Sequence, residues 1–161
     1  MATPADEMRG LCTAVGFVVL IWGMIERQLD NWVMVIFHDC NGDTIRKDIP
    51  RSLKPKIAFL RKAFRTLQVL EPFKDDALDM LQQVSQLSEK RHDFVHGSIE
   101  KVTPKTFEFS RIEYSERHHH VKYKKFSAKN YPALSRSLLD LVSNTGRLSQ
   151  RLLKTIPRRI Q

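Results

Sequence analysis

Cysteine is scarce in this chain of 161 residues: Cys12 and Cys40 are the only two. They form no CxxC pair, so the sequence offers neither a thiolate metal site nor a disulfide framework. That usage fits a reducing, cytoplasmic setting. Acidic residues are also in short supply. Eighteen Asp and Glu stand against 27 Lys and Arg, a formal net charge of +9. The excess favours anionic partners: RNA, DNA or an anionic membrane surface. The chain has no glycine-rich phosphate loop, no HExxH and no GxSxG, which removes the signatures of P-loop, zincin and α/β-hydrolase chemistry.

A long apolar run is missing as well. Gly10 to Ile25 carries no charge but holds 16 residues, short of the roughly 20 that a membrane span needs. Its flank carries Asp6, Glu7 and Arg9 rather than the basic region of a signal peptide. We read it as a buried helix of a soluble protein with no membrane partner. Internal repeats and low-complexity linkers are absent too, so residues 1–161 read as a single domain. Its 42% hydrophobic and 28% charged residues are ordinary for a globular chain with a real core.

What is present is helical periodicity. Leu11, Val15, Val18, Trp22, Ile25, Leu29, Val33 and Ile36 recur at three- and four-residue steps, predicting one helix over about 8–38. Val19, Leu20 and Ile21 on its other side predict cover on more than one face. Asn41-Gly42-Asp43 predicts a turn. Leu53, Ile57, Leu60, Phe64, Leu67 and Leu70 mark a second helix, with Ser52 as its cap and Pro55 in its first turn. A third runs from about Lys74 to His96 on Ala77, Leu81, Val84, Leu87, Arg91, Phe94 and Val95, with Gly97 as a left-handed residue beyond its end. Period-two alternation through Phe107, Phe109, Ile112, Tyr114, Val121 and Tyr123 predicts a short antiparallel hairpin. A last helix starts near Ser127 or Asn130 on Tyr131, Leu134, Leu138, Leu141, Thr145, Leu148 and Leu152. Pro157 stops it, and Arg158 and Arg159 form a basic tail. The fold class is therefore mainly α: an up-and-down bundle of about four to five helices with a short β-hairpin insertion after the third helix.

The chemistry concentrates in Arg91-His92-Asp93-Phe94-Val95-His96-Gly97. Arg91 falls on the apolar stripe, where a charge must be paired or line a cleft; Glu26, at the edge of the first stripe, is the candidate counter-ion. RNA can be cut without metal when its 2′-hydroxyl attacks the adjacent phosphate. Histidine can move the proton, and the guanidinium fork can hold the charge developing on phosphate. DNA lacks the 2′-hydroxyl, so this chemistry selects RNA. Residues five apart on a helix are turned about 140° and rise about 7.5 Å. Arg91 and His96 therefore meet only if the last turn loosens or if two chains share one cleft. His92 and His96, one turn apart, share a face.

Arginine, four residues, then histidine and glycine resembles the motif of the HEPN superfamily (higher eukaryotes and prokaryotes nucleotide-binding), in which Asn, Asp or His often follows the arginine, as His92 does here. The resemblance implies a helical bundle that dimerises and acts as a metal-independent endoribonuclease without a cofactor. Arg91 and His96 are then the catalytic pair and His92 supports them. It also implies a toxin or defence role, with an antitoxin protein as a partner. Two other readings remain: a non-catalytic RNA- or nucleotide-binding module, and a helical protein-interaction module in which Arg91 is structural.

The hairpin's second arm is dense in positive charge, and Arg117, Lys122, Lys124 and Lys125 are the candidate RNA contacts. Tyr123 and Phe126 between them could stack bases, but we favour a half-buried strand whose aromatics face the core. His118-His119-His120 gives no metal site: alternate strand residues point to opposite faces, so at most two of the three share a side.

Overall fold

The computed structural model describes residues 3–157; the basic pair Arg158–Arg159 lies outside the described residues. Four helices, α1 (Pro4–Asp39), α2 (Leu53–Thr66), α3 (Lys74–His96) and α4 (Tyr131–Thr155), account for most of the chain. Three strands stand between α3 and α4: β1 (Ser98–Val102), β2 (Thr106–Ser115) and β3 (His118–Ser127). By internal contacts the chain forms two compact units, Met1–Trp22 with Leu87–Leu139 and Gly23–Gln86 with Asp140–Gln161.

The start of α1 is set by a capping box. Thr3 Oγ1 accepts from the Asp6 amide at 3.3 Å while the Asp6 carboxylate accepts from the Thr3 amide at 3.1 Å. Pro4 occupies the first helical position, where its missing N–H costs nothing. The helix ends as its turn residues predict: Asn41 is left-handed at φ 60, and Gly42 is buried where a Cβ would sit 2.7 Å from the Ile36 carbonyl. Leu11, Ala14, Val18, Trp22, Ile25, Leu29, Val33 and Ile36 are all buried.

The second face of α1 departs from expectation. Val19, Leu20 and Met24 are exposed, Leu20 by 73%. With its flanks, α1 also reaches the length and apolarity of a membrane span (mean hydropathy 1.8 over its best window, 28% of which is buried).

In the second unit, Ile57, Leu60, Ala63 and Phe64 of α2 are buried. Phe64 meets the Trp32 indole edge-on at 6.0 Å. The indole N–H donates to Ser149 Oγ at 2.6 Å, which donates in turn to Gln28 Oε1 at 2.7 Å. A buried tryptophan is thus satisfied by α4. Helix α2 ends at Thr66, earlier than the Leu53–Leu70 stripe suggests; Leu70 is buried instead by a 3₁₀ turn over Gln68–Phe73 that contains Pro72. Ser52 takes the N-cap position in extended geometry but its side chain makes no capping hydrogen bond.

In the first unit, the predicted two-stranded hairpin is a three-stranded antiparallel sheet in the order β1-β2-β3. The extra strand, β1, escapes period-two reading because its register shifts between Ile99 and Lys101, a bulge that breaks the alternation. Strands β2 and β3 pair from Thr106↔Ser127 to Ser115↔His118. Glu116 and Arg117 form the two-residue turn, with Glu116 at φ 35. One sheet face carries Phe107, Phe109 and Phe126, which close on Phe94 of α3 at 5.4 Å (Phe109) and 4.9 Å (Phe126). Each such ring contributes roughly 1.5–3 kcal/mol by burial, and this cluster pins the sheet to the last turns of α3.

A candidate active site at the end of α3

Helix α3 stays regular to its last residue, and the Gly97 amide still donates to the Asp93 carbonyl at 3.0 Å. Even so, Arg91 Nη1 lies 3.5 Å from His96 Nε2. Convergence therefore requires neither a loosened turn nor a second chain, contrary to the backbone argument. The arginine stem is long enough to span the rise of about 7.5 Å between the two positions. A guanidinium only donates, so this contact is a hydrogen bond only in the form of His96 whose Nε2 carries no proton. The His92 and His96 rings are 4.7 Å apart, both on the exposed surface, while Arg91 is half-buried.

Gly97 does not adopt the left-handed conformation expected after the helix; no glycine among the described residues has positive φ. Its requirement is steric. A Cβ there would overlap the Asp93 carbonyl oxygen and lie 3.0 Å from Phe109 Cβ. The absent side chain lets β2 approach the helix end.

That approach creates an open recess of about 670 Å³, lined by His92, His96, Glu100, Ser110, Arg111 and Tyr123 among others. Sequence reasoning missed Glu100, Ser110 and Arg111. The signal for Arg111 was available: alternation places it on the same strand face as Phe107 and Phe109, a costly place for a cation without a task. Its guanidinium is held between Asp93, 3.3 Å away, and Glu113. The Glu113 hydrogen bond raises the Arg111 pKa. The same bond, with one from Lys122, holds the Glu113 carboxyl down to about 2. Ser110 Oγ donates to Glu100. Among the described residues, two buried guanidinium nitrogens lack a hydrogen-bond acceptor, Arg91 Nε and Arg111 Nη1. The Arg111 contact with Asp93 is close enough for an ion pair but lacks hydrogen-bond alignment. Both nitrogens are closed to solvent, so a phosphate would meet these guanidinium groups through their other nitrogens.

His92 is harder to protonate than an ordinary histidine (6.5): partial burial dominates, and the nearby positive charges of Arg111 and His96 add to it. The native state therefore binds fewer protons at this ring than the unfolded chain does. Stability must fall as pH drops from about 6.5 through the lower folded pKa. We expect His92→Gln to lose less stability than the parent between about pH 7.5 and 5 in urea unfolding. An identical loss in both proteins removes His92 from the balance.

The four proposed RNA contacts do not form one patch. Lys122 pairs with Glu113 at 3.0 Å and Lys124 with Asp93 at 3.8 Å on one sheet face. Lys125 pairs with Glu108 at 2.9 Å on the other, and Arg117 is exposed in the β2–β3 turn. Of the histidine triplet, His120 is 3.2 Å from Glu113. Among the described residues no three His, Cys, Asp or Glu side chains gather in a metal-ligating group. Within its own unit Arg91 makes no ion pair among the described residues. No family profile, curated protein or solved structure matches the chain.

Proposed function

We propose that this protein is a metal-independent endoribonuclease of HEPN type, a cytoplasmic toxin or defence effector held in check by an antitoxin protein. The observation that carries the reading is the 3.5 Å approach of Arg91 to His96 with His92 alongside; the two histidines line the open recess, and Arg91 stands behind them. In this reading the four helices form an up-and-down bundle. The substrate's 2′-oxygen forms a bond to phosphorus, the bond from phosphorus to the 5′-oxygen breaks, and a cyclic phosphate is left. One imidazole takes the 2′-hydroxyl proton and the other delivers a proton to the departing 5′-oxygen. His92, harder to protonate than an ordinary histidine because of its partial burial and the Arg111 charge, is assigned the base; His96 serves as the acid or exchanges roles with it. Arg91 faces the charge developing on the phosphorane, with Arg111 as a second cation.

The bare face of α1 at Val19, Leu20 and Met24 supports homodimerisation, since exposed apolar surface at helical spacing favours a partner. A twofold pairing would duplicate the Arg91–His96 site. The test is direct. Purified protein should cut single-stranded RNA in EDTA, leave DNA of the same sequence intact, and yield 2′,3′-cyclic phosphate ends. Salt-sensitive RNA binding without turnover would instead make it a binding module.

A further inference from the structure

A second cavity, about 370 Å³, opens on the opposite side of α3's last turns from His92 and His96. Its floor is aromatic: Phe94 and Phe109 are buried and Phe126 is half-buried. Its rim is cationic, from Lys90 and Lys124; Lys125 also lines it but turns its ammonium to Glu108 on the other sheet face. Asn130 and Ser137 add neutral hydrogen-bonding groups to the wall. Lys124 and Lys125 are each already matched by a carboxylate, but Lys90 makes no ion pair among the described residues and is exposed. An apolar ligand needs no such rim, and an inorganic anion needs no aromatic floor. A flat heteroaromatic ring joined to a phosphate uses both, with Asn130 offering a donor and an acceptor to the ring edge.

We propose that this cavity binds one nucleotide, its base against Phe126 and Phe94 and its phosphate at Lys90 and Lys124. Two sources share that chemistry: a free mononucleotide, and one residue of a single strand. Only the second rests on the ribonuclease reading. In that case the subsite chooses which base lies near the cleavage point. Asp93 links the two sites physically. It lines this cavity and pairs with Arg111, which lines the catalytic recess.

The experiment is equilibrium binding to the full chain by calorimetry. The probes are the four ribonucleoside 5′-monophosphates, ribose 5-phosphate, inorganic phosphate and a single-stranded RNA hexamer. At least one monophosphate should bind about tenfold or more tightly than ribose 5-phosphate, as stacking of one base predicts. Ser137→Trp, which fills the cavity from an exposed helical position, should abolish that preference. Lys90→Glu should weaken the monophosphate several-fold, with the melting temperature of each variant reporting its fold. A hexamer much tighter than any monophosphate, and lost with Ser137→Trp, identifies a strand; equal affinities identify a free nucleotide. If every monophosphate binds like ribose 5-phosphate, or if the preference survives Ser137→Trp in a folded protein, the proposal is overturned. Binding is read without turnover, so its failure and the failure of RNA cleavage are separate results.

Discussion

RNA cleavage is expected to fall by about a hundred- to ten-thousand-fold in His96→Ala, the range that removal of a positioned acid–base group covers. Arg91→Ala should fall by about a hundred- to a thousand-fold, as when one charge-stabilising donor is lost. Neither should unfold the protein. His96 is exposed, and within its own unit Arg91 makes no ion pair among the described residues whose loss would strand a buried carboxylate. Removing the guanidinium also deletes a buried nitrogen that has no acceptor. The exposed His96→Ala should cost at most about 0.5 kcal/mol, or no more than about 2 °C in melting temperature for a chain of this size; half-buried Arg91→Ala also loses packed stem and should cost about 1 kcal/mol. The double variant should be little worse than the weaker single one, because residues acting on one phosphate are not additive. Cleavage at the parental rate by either folded variant would remove the nuclease reading. A steep drop in melting temperature for Arg91→Ala would show a structural residue instead.

Gly97→Ala should have the largest effect on stability, about 1–3 kcal/mol from overpacking against backbone that cannot yield, or about 2–10 °C in melting temperature. The added methyl overlaps the Asp93 carbonyl and crowds Phe109 Cβ at 3.0 Å. The clash moves either the end of α3, which carries His96, or β2, which carries Arg111. Cleavage should therefore drop along with stability. Gly16→Ala is the informative contrast. It lies inside α1 with nothing within 4 Å of a built Cβ, so the ordinary helical preference for alanine should stabilise the protein by about 0.5–1 kcal/mol. The same change at two glycines thus has opposite signs. Equal melting temperatures for Gly97→Ala and the parent would show that the helix–strand junction is looser than its packing indicates.

Much of the scaffold was legible in the chain. The stripe from Leu11 to Ile36 foretold the buried face of α1 except at Val15, which is half-buried while its neighbour Ala14 is buried, and Ala77 to Phe94 that of α3 except at half-buried Arg91, because a helix repeats its inward positions whatever it packs against. Strand β1 was not legible, since a bulge at Glu100 erases the period on which strand reading depends. The second face of α1 lies bare within one chain for a different reason. Apolar character says that a surface prefers cover, not that the chain contains enough other surface to provide it. The conformation of Gly97 was also misread, because glycine after a helix serves either φ or space, and only the neighbouring strand distinguishes them.

For the site, the sequence by itself determined that arginine and two histidines crowd one helix end, and that His92 and His96 share a face. These follow from local geometry and side-chain chemistry. Only the tertiary structure decided that Arg91 reaches His96 within one chain, that Arg111 joins them, and that Lys122, Lys124 and Lys125 are tied to carboxylates rather than gathered in one free patch. Each of those outcomes depends on which strand lies beside which helix. Such pairings are fixed by packing between residues distant in sequence, here Phe94 against Phe109 and Phe126, and no periodicity along the chain encodes them.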